Sequence, residues 1–232
     1  VKEETRNWAR QRILAQWVCC YQSLGRIEEA GDTFLRLVLA SDPNTLYFHT
    51  IPLNWGEQRV SPALEGQAAV WIKNAESGAA QLMGASWLLG TAQGGGAIQI
   101  LKQLTTGQDS RLALLAEAQL WRSQQASVSK KVLSRWEQEI SRFPVSFRAG
   151  PYYLVAGALS RHQQHERAVI CWMRVPISYP QHFHLAAESL LKTAKELTSL
   201  QREQQAENLY REIVRNYANT IPAGQAQQWL KQ

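Results

Sequence analysis

The strongest constraint on this chain is a two-helix pattern that closes on proline. It is clearest from Tyr152 to Pro180. Large side chains at Tyr152, Val155 and Leu159, with small Ala156 beside Val155, fall at i, i+3, i+4 and i+7 and share one helical face. A polar turn around His162–His165 follows. A second face then presents Ala168, Trp172 and Val175, and Pro180 ends it, because proline lacks the amide donor and clashes with the preceding turn. Two amphipathic helices joined by so short a turn must lie against each other and bury the shared face.

The pattern recurs. Leu14, Trp17, Val18 and Tyr21 form a first face, Leu24-Gly25-Arg26 a turn, and Ala30, Phe34 and Leu37 a second face before Asp42-Pro43. Ala206, Tyr210 and Ile213 repeat the second face after a helix around Leu190–Leu197. Tyr21 and Trp55 are 34 residues apart, as are Trp87 and Trp121, and small Gly84 and Ala118 precede the last two at the same offset. Trp136 is the second-helix aromatic of a unit that closes at Pro144. A fixed period of this length is the mark of a stacked array of hairpins.

These residues resemble the tetratricopeptide repeat (TPR) family, whose 34-residue motif has this order of large, small and aromatic positions and a closing proline. The match is position by position in Tyr152–Pro180 and nearly so in Leu14–Pro43, with Pro43 one residue late. The resemblance implies an all-α protein, a right-handed superhelix (α-solenoid) of five to six hairpins in one domain over 1–232. A capping helix over about 221–231 would cover the last repeat. By that register Trp17, Trp87, Trp121, Trp136 and Trp172 belong to the core. Residues 45–61 depart from it: Tyr47, Phe48, Pro52, Trp55 and Gly56 show no helical period, and this irregular aromatic loop is expected to pack across a groove. Ser61-Pro62 then reads as an N-cap and a first-turn proline opening a helix to about Asn74.

Composition agrees. Ala (28), Leu (27) and Gln (24) make up about a third of the 232 residues, while Gly and Pro number only 14 and 8, which excludes collagenous or disordered classes. From Ser77 to Leu101 no residue is charged, but Gln81, Gln93, Gln99 and Gly94-Gly95-Gly96 break the run. We expect two buried helices joined by a glycine turn rather than a membrane span. Cys19, Cys20 and Cys171 lie in helical runs with no CxxC spacing and are expected to be buried, inert thiols. The net charge of +6 is local: residues 1–116 carry ten basic and ten acidic residues, and nine basic residues crowd into Arg122–Arg174 against Glu137, Glu139 and Glu166. The start at Val1 reads as that of a processed or trimmed chain, with any signal or anchor upstream out of view.

No motif for catalysis stands out. The glycine triplet lacks the lysine of a phosphate loop, and neither HExxH nor GxSxG occurs. His162, His165, His182 and His184 lie within 23 residues, but in turns at opposite ends of a helix, roughly 15 Å or more apart, so one metal site cannot collect them. No enzyme activity, cofactor or metal is expected. The TPR resemblance implies instead a groove lined by the first helices, with candidate partner contacts at Tyr153, Arg161, Gln119, Arg122, Lys195 and Gln81. The carboxylate clamp of some family members would need an asparagine that those positions lack. The expected function is a protein–protein interaction module or scaffold that takes a protein or peptide in this groove. An anionic-polymer binder working through residues 122–174 and a helical accessory part of a larger enzyme are the alternatives. The C-terminal repeat also resembles those of bacterial envelope TPR proteins, which points to an exported or membrane-tethered bacterial protein, with a cytoplasmic location left open.

Overall fold

The computed structural model describes residues 2–40, 47–56 and 58–231. Among them the chain is all-helical, with twelve α-helices, about 75% helix and no strand. It divides into two compact units, the first ending at Ser123 and the second starting at Gln124.

In the first unit α1 (Lys2–Ser23) and α2 (Ile27–Leu39) form a hairpin. Its turn places Gly25 at φ 72°, with Gly25 N–H on the Gln22 carbonyl and Arg26 N–H on the Tyr21 carbonyl. This pair of bonds closes the helix end on a left-handed residue, which glycine adopts without a Cβ penalty. The second helix of the hairpin buries Ala30, Phe34 and Leu37, the three residues its period marks. The described residues between α2 and α3, 47–56 and 58–60, are non-helical apart from one short 3-10 turn at Phe48–Thr50. Of the irregular loop, residues 45, 46 and 57 lie outside the described residues, as do Asp42 and Pro43. Trp55 falls in this stretch, so its 34-residue spacing from Tyr21 does not mark a helix.

Helix α3 (Pro62–Ile72) starts as its sequence requires: Ser61 Oγ accepts the Leu64 amide and Pro62 occupies the first turn. It packs on α4 (Gly78–Leu88) so closely that a Cβ on Gly84 would lie 2.6 Å from the Ala68 carbonyl oxygen. α4 is buried nearly throughout. The glycine triplet is not the turn after it: residues 89–93 turn, and Gly94–Gly96 form the first turn of α5 (Gly94–Thr105). Helix α6 (Ser110–Gln124) ends this unit. Ser77 to Leu101 is therefore two helices, and no helix among the described residues is long and apolar enough to cross a membrane.

The second unit holds α7 (Lys130–Glu139), α8 (Ala149–Arg161), α9 (His165–Ser178), α10 (Phe183–Ser199), α11 (Glu203–Asn216) and α12 (Ile221–Trp229). From α8 onward each helix packs on the next. The turns after α8 and α10 repeat the first hairpin's bonds, with Gln163 (φ 59°) and Gln201 (φ 58°) in place of Gly25. α12 covers α10 and α11. Ala223 and Ala226 enter a core of Leu190, Leu197, Ala206, Tyr210 and Ile213, and Trp229 stacks on Tyr210 at 4.3 Å.

Four of the five register tryptophans are buried: Trp87, Trp121, Trp136 and Trp172. Trp17 is the exception at 54% exposed. α1 buries Ala15 and Val18, which lie about 200° and 100° around the helix from Trp17, so the indole faces away from α2. The thiol expectation fails at Cys20, which is exposed; Cys19 and Cys171 are half-buried, and burial pushes both thiols up.

Candidate functional site

The six candidate residues separate into three groups. Gln119 and Arg122 lie on α6, and the structure brings them together on one target, the irregular stretch. Arg122 Nη1 donates to the Asn54 carbonyl at 2.9 Å and to the Ser86 carbonyl at 2.8 Å. Gln119, fully buried, donates from Nε2 to the same Asn54 carbonyl at 3.2 Å. Gln81 is half-buried on α4 and is not among the residues that touch this stretch through a hydrogen bond.

The rest of the contact comes from residues the sequence does not offer as contacts: Ser86 and Gln22, and Trp87, which the repeat register assigns to packing alone. Trp87 Nε1 donates to the Pro52 carbonyl at 2.8 Å. Ser86 Oγ accepts the Asn54 amide at 2.9 Å and lies 3.3 Å from the Asn54 carbonyl. Gln22 Nε2, from the end of α1, donates to the Thr50 carbonyl at 2.6 Å. Carbonyls 50, 52 and 54 thus each meet a side-chain donor from α1, α4 or α6. Between them the backbone makes a tight turn at Pro52, where Leu53 N–H reaches the Ile51 carbonyl at 2.9 Å. Phe48, Ile51, Leu53 and Asn54 are buried. Phe48 and Phe34 pack edge-on, and the Arg111 guanidinium lies over the Phe48 ring at 4.7 Å.

The helices cannot lend their own backbone groups to this stretch, because those are used inside the helices. Side-chain donors are the remaining way to satisfy its buried carbonyls, and indole, carboxamide and guanidinium N–H groups supply them. The satisfaction is incomplete on the side-chain side. Asn54 Oδ1 and Nδ2 and Gln119 Oε1 are buried with no hydrogen-bond partner among the described residues.

Tyr153, Arg161 and Lys195 belong to the second unit. Tyr153 is 5% exposed, and its hydroxyl donates to Glu188 Oε1 at 2.6 Å, which ties α8 to α10. Arg161 and Lys195 are exposed, and Lys195 Nζ donates to Gln225 Oε1 on α12 at 3.1 Å. One residue before Arg161, Ser160 donates to Glu196, and His165 Nδ1 meets the other Glu196 oxygen at 2.5 Å. The neighbouring ends of α8, α9 and α10 are therefore fixed to one carboxylate beside Arg161 and Lys195.

His162 sits apart from this cluster, with Nε2 at 2.8 Å from the Val128 carbonyl. Among the described residues no group of three or more His, Cys, Asp or Glu side chains could hold a metal ion. Comparison of the chain with protein-family models, with curated proteins and with solved structures finds no match.

Proposed function

We propose that this chain is a non-enzymatic protein–protein interaction module, a TPR-like α-solenoid that takes a peptide or partner protein along the first helices of its hairpins. The observation that carries the reading is the grip of Gln22, Trp87, Gln119 and Arg122 on alternate carbonyls of a non-helical stretch. Helical hairpins that present N–H donors in this spacing are suited to hold polypeptide main chain. Arg161 and Lys195 offer an exposed cationic pair for a partner, one that favours acidic side chains or a terminal carboxylate. Tyr153 contributes by holding α8 to α10, so the exposed pair is the cleaner target for substitution.

A photo-crosslinking residue at Arg161 tests this in the source cell. One partner should be captured, and Lys195→Glu in the same chain should reduce its capture at least tenfold. Capture that does not change, from a chain with unaltered helix content, would remove Arg161 and Lys195 from the site.

The alternative of an anionic-polymer binder has less to stand on, because most arginines between Arg122 and Arg174 are already engaged. Arg148 donates to the carbonyls of Phe143 and Ser141, Arg167 grips Glu137, and Arg174 lies over Tyr152.

A further inference from the structure

We propose that the α4–α6 face is a receptor for polypeptide main chain and that residues 50–54 of this chain are its resident occupant, closing that face to any external peptide. Three features support it. The contacts are those of a bound peptide: donors from three helices meet carbonyls 50, 52 and 54, and a serine hydroxyl meets the amide of residue 54. The sequence separations of these side-chain contacts are 28 to 68 residues, so they reach the stretch from distant helices and add to its few local turn bonds. The occupant also lies where the 34-residue spacing leads one to expect a helix and the described residues 47–56 and 58–60 form none beyond a 3-10 turn. The chain passes from α2 to α3 without a further helix among the described residues, and Trp55 lies 34 residues after Tyr21 and 32 before Trp87.

The unpartnered Asn54 side chain and Gln119 Oε1 fit this picture. The grip falls on carbonyls and one amide, and the Ile51 and Leu53 side chains are buried beside it, while the Asn54 carboxamide finds no partner among the described residues; alternating Gly and Ser would keep the carbonyls but lose that apolar burial and loosen the occupant. What the face contributes is fixed: the indole of Trp87, the hydroxyl of Ser86, the carboxamide of Gln119 and the guanidinium of Arg122.

The inference deepens the interaction-module reading and can fail without it, because partner capture at Arg161 and Lys195 is a separate readout. A labelled peptide spanning residues 47–56 is titrated into the intact chain and into a chain whose residues 50–55 are replaced by alternating Gly and Ser. Saturable one-to-one binding to the replaced chain, at least tenfold tighter than to the intact chain and lost on Arg122→Ala, is the expected result. Equal binding to both chains, or no binding to a folded replaced chain, overturns the proposal.

Should the replaced chain not fold, hydrogen exchange on the intact chain decides. Arg122→Ala should speed exchange in residues 51–56 at least tenfold more than in α4 and α6, and Arg122→Lys should restore part of the difference. Exchange that rises by the same factor in the stretch and in both helices would make residues 50–54 ordinary core, and the proposal would fall.

Discussion

Arg122 makes more hydrogen bonds among the described residues than the other candidate cations, Arg161 and Lys195. Its Nη1 serves two carbonyls on separate segments, Asn54 and Ser86, in a part-buried setting. Hydrogen bonds from a charged donor contribute about 1.5–3 kcal/mol, and their loss leaves buried carbonyls with fewer partners. Arg122→Ala should therefore lower the unfolding free energy by about 2–3 kcal/mol in urea denaturation. A loss under about 0.5 kcal/mol would show that the two bonds add nothing net. The turn residues behave in the opposite direction. Gln163 and Gln201 hold the left-handed conformation that Gly25 occupies in the first hairpin. An L side chain there costs roughly 1–2 kcal/mol, offset in part by the extra unfolded-state freedom of glycine. Gln163→Gly and Gln201→Gly should each raise stability by up to about 1 kcal/mol, a Tm gain of roughly 2–4 °C. A fall in Tm for both would mean that their side chains contribute more than the backbone strain costs.

Helix ends show how much of each element is local. Asp109 opens α6: its Oδ1 accepts the Arg111 amide at 2.9 Å, and the Arg111 guanidinium pairs with Oδ2 at 2.8 Å. The hydrogen bond from the Arg111 side chain, helped by that amide, holds the Asp109 carboxyl below the usual carboxylate range although burial pushes the other way. A depressed folded pKa stabilises the fold above the unfolded value, about 4, and that contribution fades as pH falls through the folded value. The site is partly exposed, so the gain is at most about 1 kcal/mol. Asp109→Asn keeps a capping oxygen without the charge. The wild type should be the more stable at pH 7, and the gap should close as pH drops below about 4, read by urea denaturation at both ends. A gap that is constant with pH would assign the effect to shape alone. Local signals of this kind are also what made the elements legible. Ser61-Pro62 fixed the start of α3, Gly25 the first hairpin turn, and the 3.6-residue period with Pro180 the pair α8 and α9. The stretch after α2 had no such signal, because the side chains that meet its carbonyls lie 28 to 68 positions away. Gln119 and Arg122 could be flagged as facing a groove, but nothing near them in sequence names the carbonyls they meet. Trp17 misled for a related reason: a repeat register assigns a packing position to a residue whether or not a described helix covers it.

At the scale of the whole molecule, a formal charge of +6 acts only through the cations left in solvent. Of the nine basic residues from Arg122 to Arg174, Arg122 and Arg148 are turned onto carbonyls, Arg174 lies over Tyr152, and Arg167 is paired with Glu137. Arg135 and Arg142 flank Glu139 at 3.5 and 4.0 Å. Lys130, Lys131 and Arg161 are exposed with no ion pair or carbonyl partner among the described residues. Counterion release scales with the number of phosphates neutralised, with a slope of about −0.9 per contact on duplex DNA. Three cations limit the dependence of log K on log salt in this stretch to a slope of about −3. A fluorescence-anisotropy titration of duplex DNA at several salt concentrations should show a slope this shallow or shallower, and Lys130→Ala, Lys131→Ala and Arg161→Ala together should abolish the contribution. A slope of about −5 or steeper that survives the triple substitution would place a polyanion surface elsewhere on the chain. Binding that is steep and lost with the triple would put the anionic-polymer reading ahead of the interaction module, since the engaged arginines would then have to leave their partners to take part.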